Sequence, residues 1–220
     1  MAGPHPERLF RDRSEAGAVL AELLQPLAPE HPIVLALPRG GVPVGYEIAR
    51  ALGAPLDILL VRKIGAPRDP ELGIGAVAED GVRIVDPGTV EALGLSERDV
   101  ARAVARAEAE LAQRSARHRH GAAPPEVRGR TVIVADDGLA TGGTATAAVL
   151  ALRHRGAGRI VVAVPVAAHA SAEQLRGVAD VVVCARESDR LGAIGAWYAD
   201  FRQTSDGEVT RLLKASEGFL

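Results

Sequence analysis

Five short apolar runs divide the chain, and none of them alternates. They are residues 33–37 (IVLAL), 57–61 (DILLV), 131–135 (TVIVA), 159–166 (RIVVAVPV) and 181–184 (VVVC). A strand with one wet face alternates apolar and polar side chains. A run that is apolar throughout has both faces covered. Helix-like stretches fill the gaps, at residues 14–25, 42–52, 144–155 (with Gly156 placed to cap it) and 171–178. Strands alternating with helices predict an α/β protein, a Rossmann-like parallel sheet flanked by helices. Aromatic residues are only 3% of the 220, so the core must be built from Val, Leu, Ile and Ala. That length suffices for one well-buried domain, and residues 1–220 read as a single one.

Residues 66–130 break this rhythm. They hold a turn (APRDP), an expected hairpin around Glu79-Asp80-Gly81, and then a long helix. Ser96 and Asp99, three residues apart, predict its N-terminal cap, and Gly121 with Pro124-Pro125 its end. The apolar stripe is thin (Val100, Val104, Leu111), which predicts a helix on the surface or over a cleft. Its basic end, Arg114 to His120, suits the negative end of a helix dipole and reads as a solvated last turn. His118 and His120 lack a partner at metal-ligand spacing.

Composition removes several classes of function. The net charge is -2, which gives no field to hold nucleic acid. The single cysteine, Cys184, excludes an intrachain disulfide framework. The opening MAGPHPERLFRDR lacks the apolar core of a secretion signal. The longest apolar run, residues 160–168, falls far short of the roughly 20 residues that span a bilayer. The expectation is a cytoplasmic protein with no membrane and no nucleic-acid partner.

The chemistry concentrates in residues 132–144, VIVADDGLATGGT. An apolar strand ends in two carboxylates, Asp136 and Asp137, and a Gly/Thr loop leads into a helix. Strand-loop-helix geometry aims backbone N–H groups and a helix N-terminus at one spot, an anion site. Gly142 and Gly143 allow close approach, and Thr141 and Thr144 add hydroxyl donors. Two carboxylates beside the loop would repel a bare polyphosphate. They suit a ligand that carries hydroxyls next to its phosphate. The loop lacks the Gly-Lys-Ser/Thr of a Walker loop and the G-x-G-x-x-G of a dinucleotide fingerprint.

Two further polar segments close strands. Leu37-Pro38-Arg39-Gly40-Gly41 follows the first run, and Arg62-Lys63 follows the second. Lys63 is one of only two lysines in the chain. Strand ends on one side of an open α/β sheet are where such folds bind ligands.

The stretch from Asp136 to Thr144 resembles the phosphoribosyl-pyrophosphate loop of type I phosphoribosyltransferases, and its ATGGT form is closest to the adenine enzymes. Residues 70–77, the VAVPVA stretch and the closing WYADFRQTSDGEV extend the resemblance to a bacterial subfamily of predicted phosphoribosyltransferases. The resemblance implies that Asp136 and Asp137 hold the ribose hydroxyls. It implies that Ala140, Thr141, Gly142, Gly143 and Thr144 wrap the 5-phosphate. It makes Arg39, Gly40 and Gly41 the pyrophosphate loop and Lys63 a cation for the leaving group. The partners implied are phosphoribosyl pyrophosphate and a small acceptor, with room for a homodimer. Magnesium is the implied cofactor, held mainly through substrate oxygens rather than by a protein metal site.

The implied reaction is displacement of pyrophosphate by a nitrogen acceptor. Two departures touch the acceptor. Ala140 stands where hypoxanthine-guanine enzymes of the family place an acid, and no adenine-type Glu/Tyr loop is present, with Glu71 and Glu79 as stand-ins. Residues 186–220 form the expected hood, where Trp197 and Tyr198 could stack a base, although packing is the commoner use of such rings. His169 could face the cleft. The alternatives are a non-catalytic sensor of phosphoribosyl pyrophosphate or nucleotide, and a hydrolase using water as acceptor.

Overall fold

The computed structural model describes residues 9–70, 72–118 and 123–219. Five strands form a parallel sheet: β1 (Ile33–Ala36), β2 (Leu56–Ile58), β6 (Thr131–Ala135), β7 (Arg159–Ala168) and β8 (Val181–Ser188). Their spatial order is β2-β1-β6-β7-β8, and every neighbouring pair is parallel.

The missing alternation has its explanation in two hydrophobic layers. On β6, Val132 and Val134 face one cluster while Ile133 and Ala135 face the other. On β7, Ile160 and Val162 pack with the first and Val161 and Ala163 with the second. Helices α1 (Arg13–Leu24) and α2 (Gly41–Leu52) cover one face through Leu20, Leu24, Val44 and Ile48. On the other face, α5 (Gly143–His154) contributes Val149 and Leu152, and α6 (His169–Arg176) contributes Leu175. Successive side chains of a strand point to opposite faces, so a sheet with two dry faces needs apolar residues at every position.

The second apolar run is not one strand. It splits after Ile58: β2 stays in the parallel sheet, and β3 (Val61–Gly65) leaves it. β3 pairs antiparallel with β4 (Gly73–Ala78), and β4 with β5 (Arg83–Val85), as a second, three-stranded sheet. Leu59 and Leu60 between them are both buried, one in the main core and one in a separate cluster. Burial continues across the break, so no polar residue announces it. Arg62 and Lys63 therefore belong to this second sheet and do not end a strand of the first. The expected hairpin at Glu79-Asp80-Gly81 joins β4 to β5, with Gly81 at φ 81°.

After the short helix α3 (Pro87–Ala92), α4 spans Glu97–His118. Its start is a reciprocal cap: the Asp99 N–H donates to Ser96 Oγ, and the Ser96 N–H donates to Asp99 Oδ2, each at 3.2 Å. Ala107 and Leu111 bury against Ile64, Ile74 and Val77 of the second sheet. Helix α7 (Asp206–Ser216) joins that cluster through Val209 and Leu212. Phe10, ahead of α1, bridges to Tyr198 in the segment between β8 and α7. Among the described residues no helix is long and apolar enough to cross a membrane.

Candidate functional site

Strand β1 has β2 on one side and β6 on the other, so the chain reverses its direction of travel through the sheet between β1 and β6. Loops leaving neighbouring strands at such a switch point part and open a crevice. The loop after β1 carries Arg39, Gly40 and Gly41; the loop after β6 carries Asp136 to Thr144. The two loops touch. A Cβ on Gly40 would stand 2.0 Å from Asp137 Oδ2, and one on Gly41 would stand 2.5 Å from the Ala135 carbonyl oxygen. Both glycines are demanded by this close approach. The Pro38–Arg39 peptide is cis.

The two carboxylates differ in their surroundings. Asp137 is gripped by Arg13 of α1, whose Nε and Nη2 donate to Oδ2 at 2.8 and 2.7 Å. Both side chains are largely buried, at 11% and 16% exposure. Arg13 also lies over the Phe201 ring, 3.8 Å from its centroid. Asp136 has no cationic partner among the described residues and accepts the Asp137 N–H at 2.9 Å. Burial, and then the Asp137 charge beside it, hold the Asp136 carboxyl well above the usual carboxylate range.

The loop from Gly138 to Thr144 is stitched to its surroundings before it reaches α5. The Leu139 N–H donates to the Val166 carbonyl and the Ala168 N–H to the Leu139 carbonyl. Ser171 Oγ donates to the Ala140 carbonyl at 2.6 Å. Gly142, at φ 74°, turns the chain into the helix. Lys63 reaches this loop from the second sheet, because a Cβ on Gly143 would lie 2.9 Å from its Cδ and 3.4 Å from its Nζ. Lys63, Thr141, Gly143 and Thr144 line a cavity of about 420 Å³ that α4 closes on its far side.

A second cavity, about 400 Å³, opens beside Arg39, Gly40 and Arg13. Its other walls are Arg114, Arg117 and His118 from the end of α4, Gln203 and Thr204 ahead of α7, and Asp206 at its start. The basic end of α4 is thus not simply a solvated turn, because the helix crosses the second sheet and delivers those side chains to the crevice. Arg39 Nη1 meets Asp206 Oδ1 at 3.4 Å.

The structure brings Arg39, Gly40, Gly41, Lys63, Asp136, Asp137 and the 140–144 loop to one end of the sheet. Arg62 lines the first cavity beside Lys63, paired there with Glu110 of α4. The other candidates lie elsewhere. Glu79 sits in the hairpin near the Leu60 N–H, away from both cavities. Glu71 and His120 lie outside the described residues. His169 pairs with Glu187 on the surface. Trp197 and Tyr198 are buried packing residues: indole Nε1 donates to the Leu191 carbonyl at 2.9 Å, and the Tyr198 hydroxyl donates to the Asp137 carbonyl at 2.7 Å. Tyr198 thereby props the backbone of the acid pair. Burial, and next the Asp137 charge, push its phenol above the ordinary range.

Arg13, Arg114 and Arg117 are absent from the site that the sequence predicts. For Arg13 no sequence signal exists. For the pair on α4, the i, i+3, i+4 spacing of residues 114, 117 and 118 already placed them on one helix face.

By fold, then, this is an open α/β protein with its polar crevice at the switch point. A family model, the phosphoribosyl transferase domain, matches residues 14–196, and the chain belongs to that family. A Mycobacterium tuberculosis (strain H37Rv) protein named "Putative phosphoribosyl transferase Rv0571c" is 42% identical over 206 residues, covering 94% of this chain and 46% of its own length. A counterpart from strain CDC 1551 matches equally. The chain thus spans about half the length of the curated relatives it matches. The crystal structure of the Thermus thermophilus protein TT1426 superposes with a TM-score of 0.86 at 42% identity, over 93% of this chain and 97% of that one. AQ2163 from Aquifex aeolicus, at 14% identity and a TM-score of 0.50, covers 85% of each chain and shares the fold alone.

The residues present fit magnesium in one way only. Among the described residues no group of three or more His, Cys, Asp or Glu could hold an ion by itself. Asp137 is committed to Arg13, which leaves Asp136 as the acid with no ion-pair partner among the described residues. Magnesium keeps much of its shell in water and substrate oxygens, so a pyrophosphate-bearing ligand beside Asp136 would complete such a site.

Proposed function

We propose that this chain transfers the 5-phosphoribosyl group of phosphoribosyl pyrophosphate to a nitrogen acceptor. The new bond joins the acceptor nitrogen to the anomeric carbon, the bond from that carbon to the pyrophosphate oxygen breaks, pyrophosphate leaves with the electron pair, and the acceptor nitrogen's proton passes to the departing pyrophosphate or to water. The observation that carries this reading is the junction at the switch point. An acid pair, a Gly/Thr loop at a helix start, and cations from two other elements converge there.

The roles follow from charge. Thr141, Gly142, Gly143 and Thr144, at the head of α5, would receive the 5-phosphate, with Ala140 contributing backbone. Asp136 and Asp137 would accept the ribose hydroxyls and face the cation-like sugar of the transition state. Arg39 and Lys63 would take the charge of the departing pyrophosphate, with Gly40 and Gly41 keeping the loop tight. Catalysis of this kind is mostly positioning and electrostatics. When bound, magnesium would supply charge neutralisation of the pyrophosphate. A cytoplasmic site of action suits this substrate.

Two observations favour a second reading, a protein that binds the same ligand without transferring it. Ala140 offers no carboxylate to exchange a proton with a base, and Arg13 already neutralises Asp137. The deciding experiment is pyrophosphate release from phosphoribosyl pyrophosphate and magnesium, with and without a pool of nucleobases. The double variant Asp136→Asn, Asp137→Asn is the blank. Transfer predicts base-dependent release that the variant loses by about 100-fold or more. Binding without release, abolished in the variant, would move the assignment to the sensor. Release without any base would move it to a hydrolase.

A further inference from the structure

Helix α5 begins on the phosphate loop and runs for 12 residues toward the opposite end of the main sheet, where β7 starts. At about 1.5 Å per residue its two ends stand roughly 18 Å apart. The second sheet lies along it, because α5 packs against both β3 and β4. They meet mostly through small side chains: Ala145, Ala147, Ala148 and Ala151 of α5 share a buried cluster with Val61, Ala76 and Ala78 of the sheet. Side-chain ridges decide how packed elements seat against each other. A surface of alanines has shallow ridges. It supplies burial but little resistance to sliding along the helix axis.

The ends of the helix supply what the middle lacks. At the loop end, Lys63 of β3 runs so close to Gly143 that a Cβ there would lie 2.9 Å from its Cδ. At the other end, Arg155, the C-cap of α5, donates from Nε to Asp80 Oδ2 in the β4–β5 turn at 3.0 Å. The same guanidinium donates from Nη2 to the Pro125 carbonyl, in the segment that leads into β6. The ion pair is mostly buried, with the two side chains 12% and 25% exposed. A planar fork held on two acceptors is a rigid tie. Neither Arg155 nor Asp80 lines the two crevice cavities. Arg153, two residues earlier, ties the same helix end to the main sheet instead, through Asp180 at 2.7 Å ahead of β8.

We propose that Arg155 is a positioning residue for Lys63. By pinning the β4–β5 turn to the end of α5, it sets where β3 lies along the helix. That in turn sets where the Lys63 ammonium meets the phosphate loop at the other end. The placement of Lys63 stands apart from the transferase reading. Only the use made of its charge, toward the departing pyrophosphate, rests on that reading.

Lys63 and Lys214 are the only lysines in the chain, so one can report on the other. The test is acetylation of the folded full chain by a limiting amount of acetic anhydride. Peptide mass spectrometry reads the rate at Lys63 against the rate at Lys214, which is exposed on α7. Arg155→Gln should raise that ratio by about threefold or more. Asp80→Asn should match it, and the two together should do no more than either alone. Arg155→Lys returns a cation to Asp80 and should recover much of the wild-type ratio. Arg153→Gln breaks the tie to the main sheet and should leave the ratio unchanged. An unchanged ratio in Arg155→Gln would overturn the proposal. An equal rise in Arg153→Gln would overturn it too, since general loosening of the helix end would then be the cause. Pyrophosphate release gives a second arm: Arg155→Gln should lower it on the order of tenfold in the wild-type background and no further in Lys63→Met. Fully additive losses would overturn the link to Lys63. Absence of any release from wild type, with the lysine ratio moving as expected, would count against the transferase alone.

Discussion

The crevice has two walls of opposite construction. The β6 wall, from Asp136 to Thr144, is one unbroken stretch whose backbone is tied to β7 and α6. The facing wall is assembled from Arg13, Arg39, the last turn of α4 and the start of α7, and its functional atoms are the tips of long side chains. The first wall is pre-organised by the main chain, so small changes in it should break function outright. The second is tethered by ion pairs and should fail by degrees.

Arg13 is where the two walls join, and it carries the largest expected effect on stability. Arg13→Ala strands the Asp137 carboxylate, 16% exposed, without its partner. Breaking a fully buried pair costs about 3–5 kcal/mol; the residual solvent contact here reduces that to about 2–3 kcal/mol. A thermal melt should fall by several degrees. An unchanged melt would mean that the walls are held together by packing alone, and the comparison would lose its hinge.

Gly40→Ala tests the same junction from the backbone side. The added methyl would overlap Asp137 Oδ2, so the acid or the loop must move, at about 1–3 kcal/mol. Binding of phosphoribosyl pyrophosphate should weaken more than stability does. Gly207→Ala, in the first turn of α7, meets only Ser205 Oγ at 4.0 Å and should leave binding unchanged, with stability equal or slightly higher. Equal effects at the two glycines would erase the distinction between a backbone-built and a side-chain-built wall.

Asp136 sharpens the contrast in a third way, because its ionised form is disfavoured by the fold. The folded state holds this proton more tightly than the unfolded chain does. The group's contribution to stability therefore falls as pH rises from the ordinary aspartate range to its own raised pKa, and is flat beyond it. Asp136→Asn keeps the acceptor oxygen for the Asp137 N–H and removes the penalty. The variant should melt higher than wild type at pH 7, with the gap closing toward the ordinary aspartate range. It should lose pyrophosphate release at the same time. A variant less stable at pH 7 than wild type would show that Asp136 is not paying for its position in this way.

What the sequence disclosed follows the same division. The sheet was legible because each apolar run states its own burial, and the Asp136–Thr144 wall because nine consecutive residues carry the whole pattern. The break at Leu59-Leu60 was not legible, since both residues are buried and only the choice of partner strand changes. Arg13 was not legible either: its partner lies 124 positions away, and an arginine one residue past a helix cap looks like any other surface cation. The arginines of α4 were visible as a charge run. Their destination depended on how α4 crosses the second sheet, a tertiary fact that no local spacing contains.

The smallest expected effect lies outside both walls, at Ser171. Its hydroxyl donates to the Ala140 carbonyl and ties the loop to α6 through a side chain. Ser171→Ala removes a net contribution of about 1 kcal/mol. If the first wall works by pre-organisation, that loss should appear as a higher KM for phosphoribosyl pyrophosphate with little change in the melt, because the freed loop must be reordered by the 5-phosphate. Ser171→Thr keeps the hydroxyl and should restore the KM where the added methyl is accommodated. A fall in melting temperature with KM unchanged would instead make Ser171 an ordinary packing residue of α6, and the rigidity of the first wall would have to come from the Leu139 backbone bonds alone.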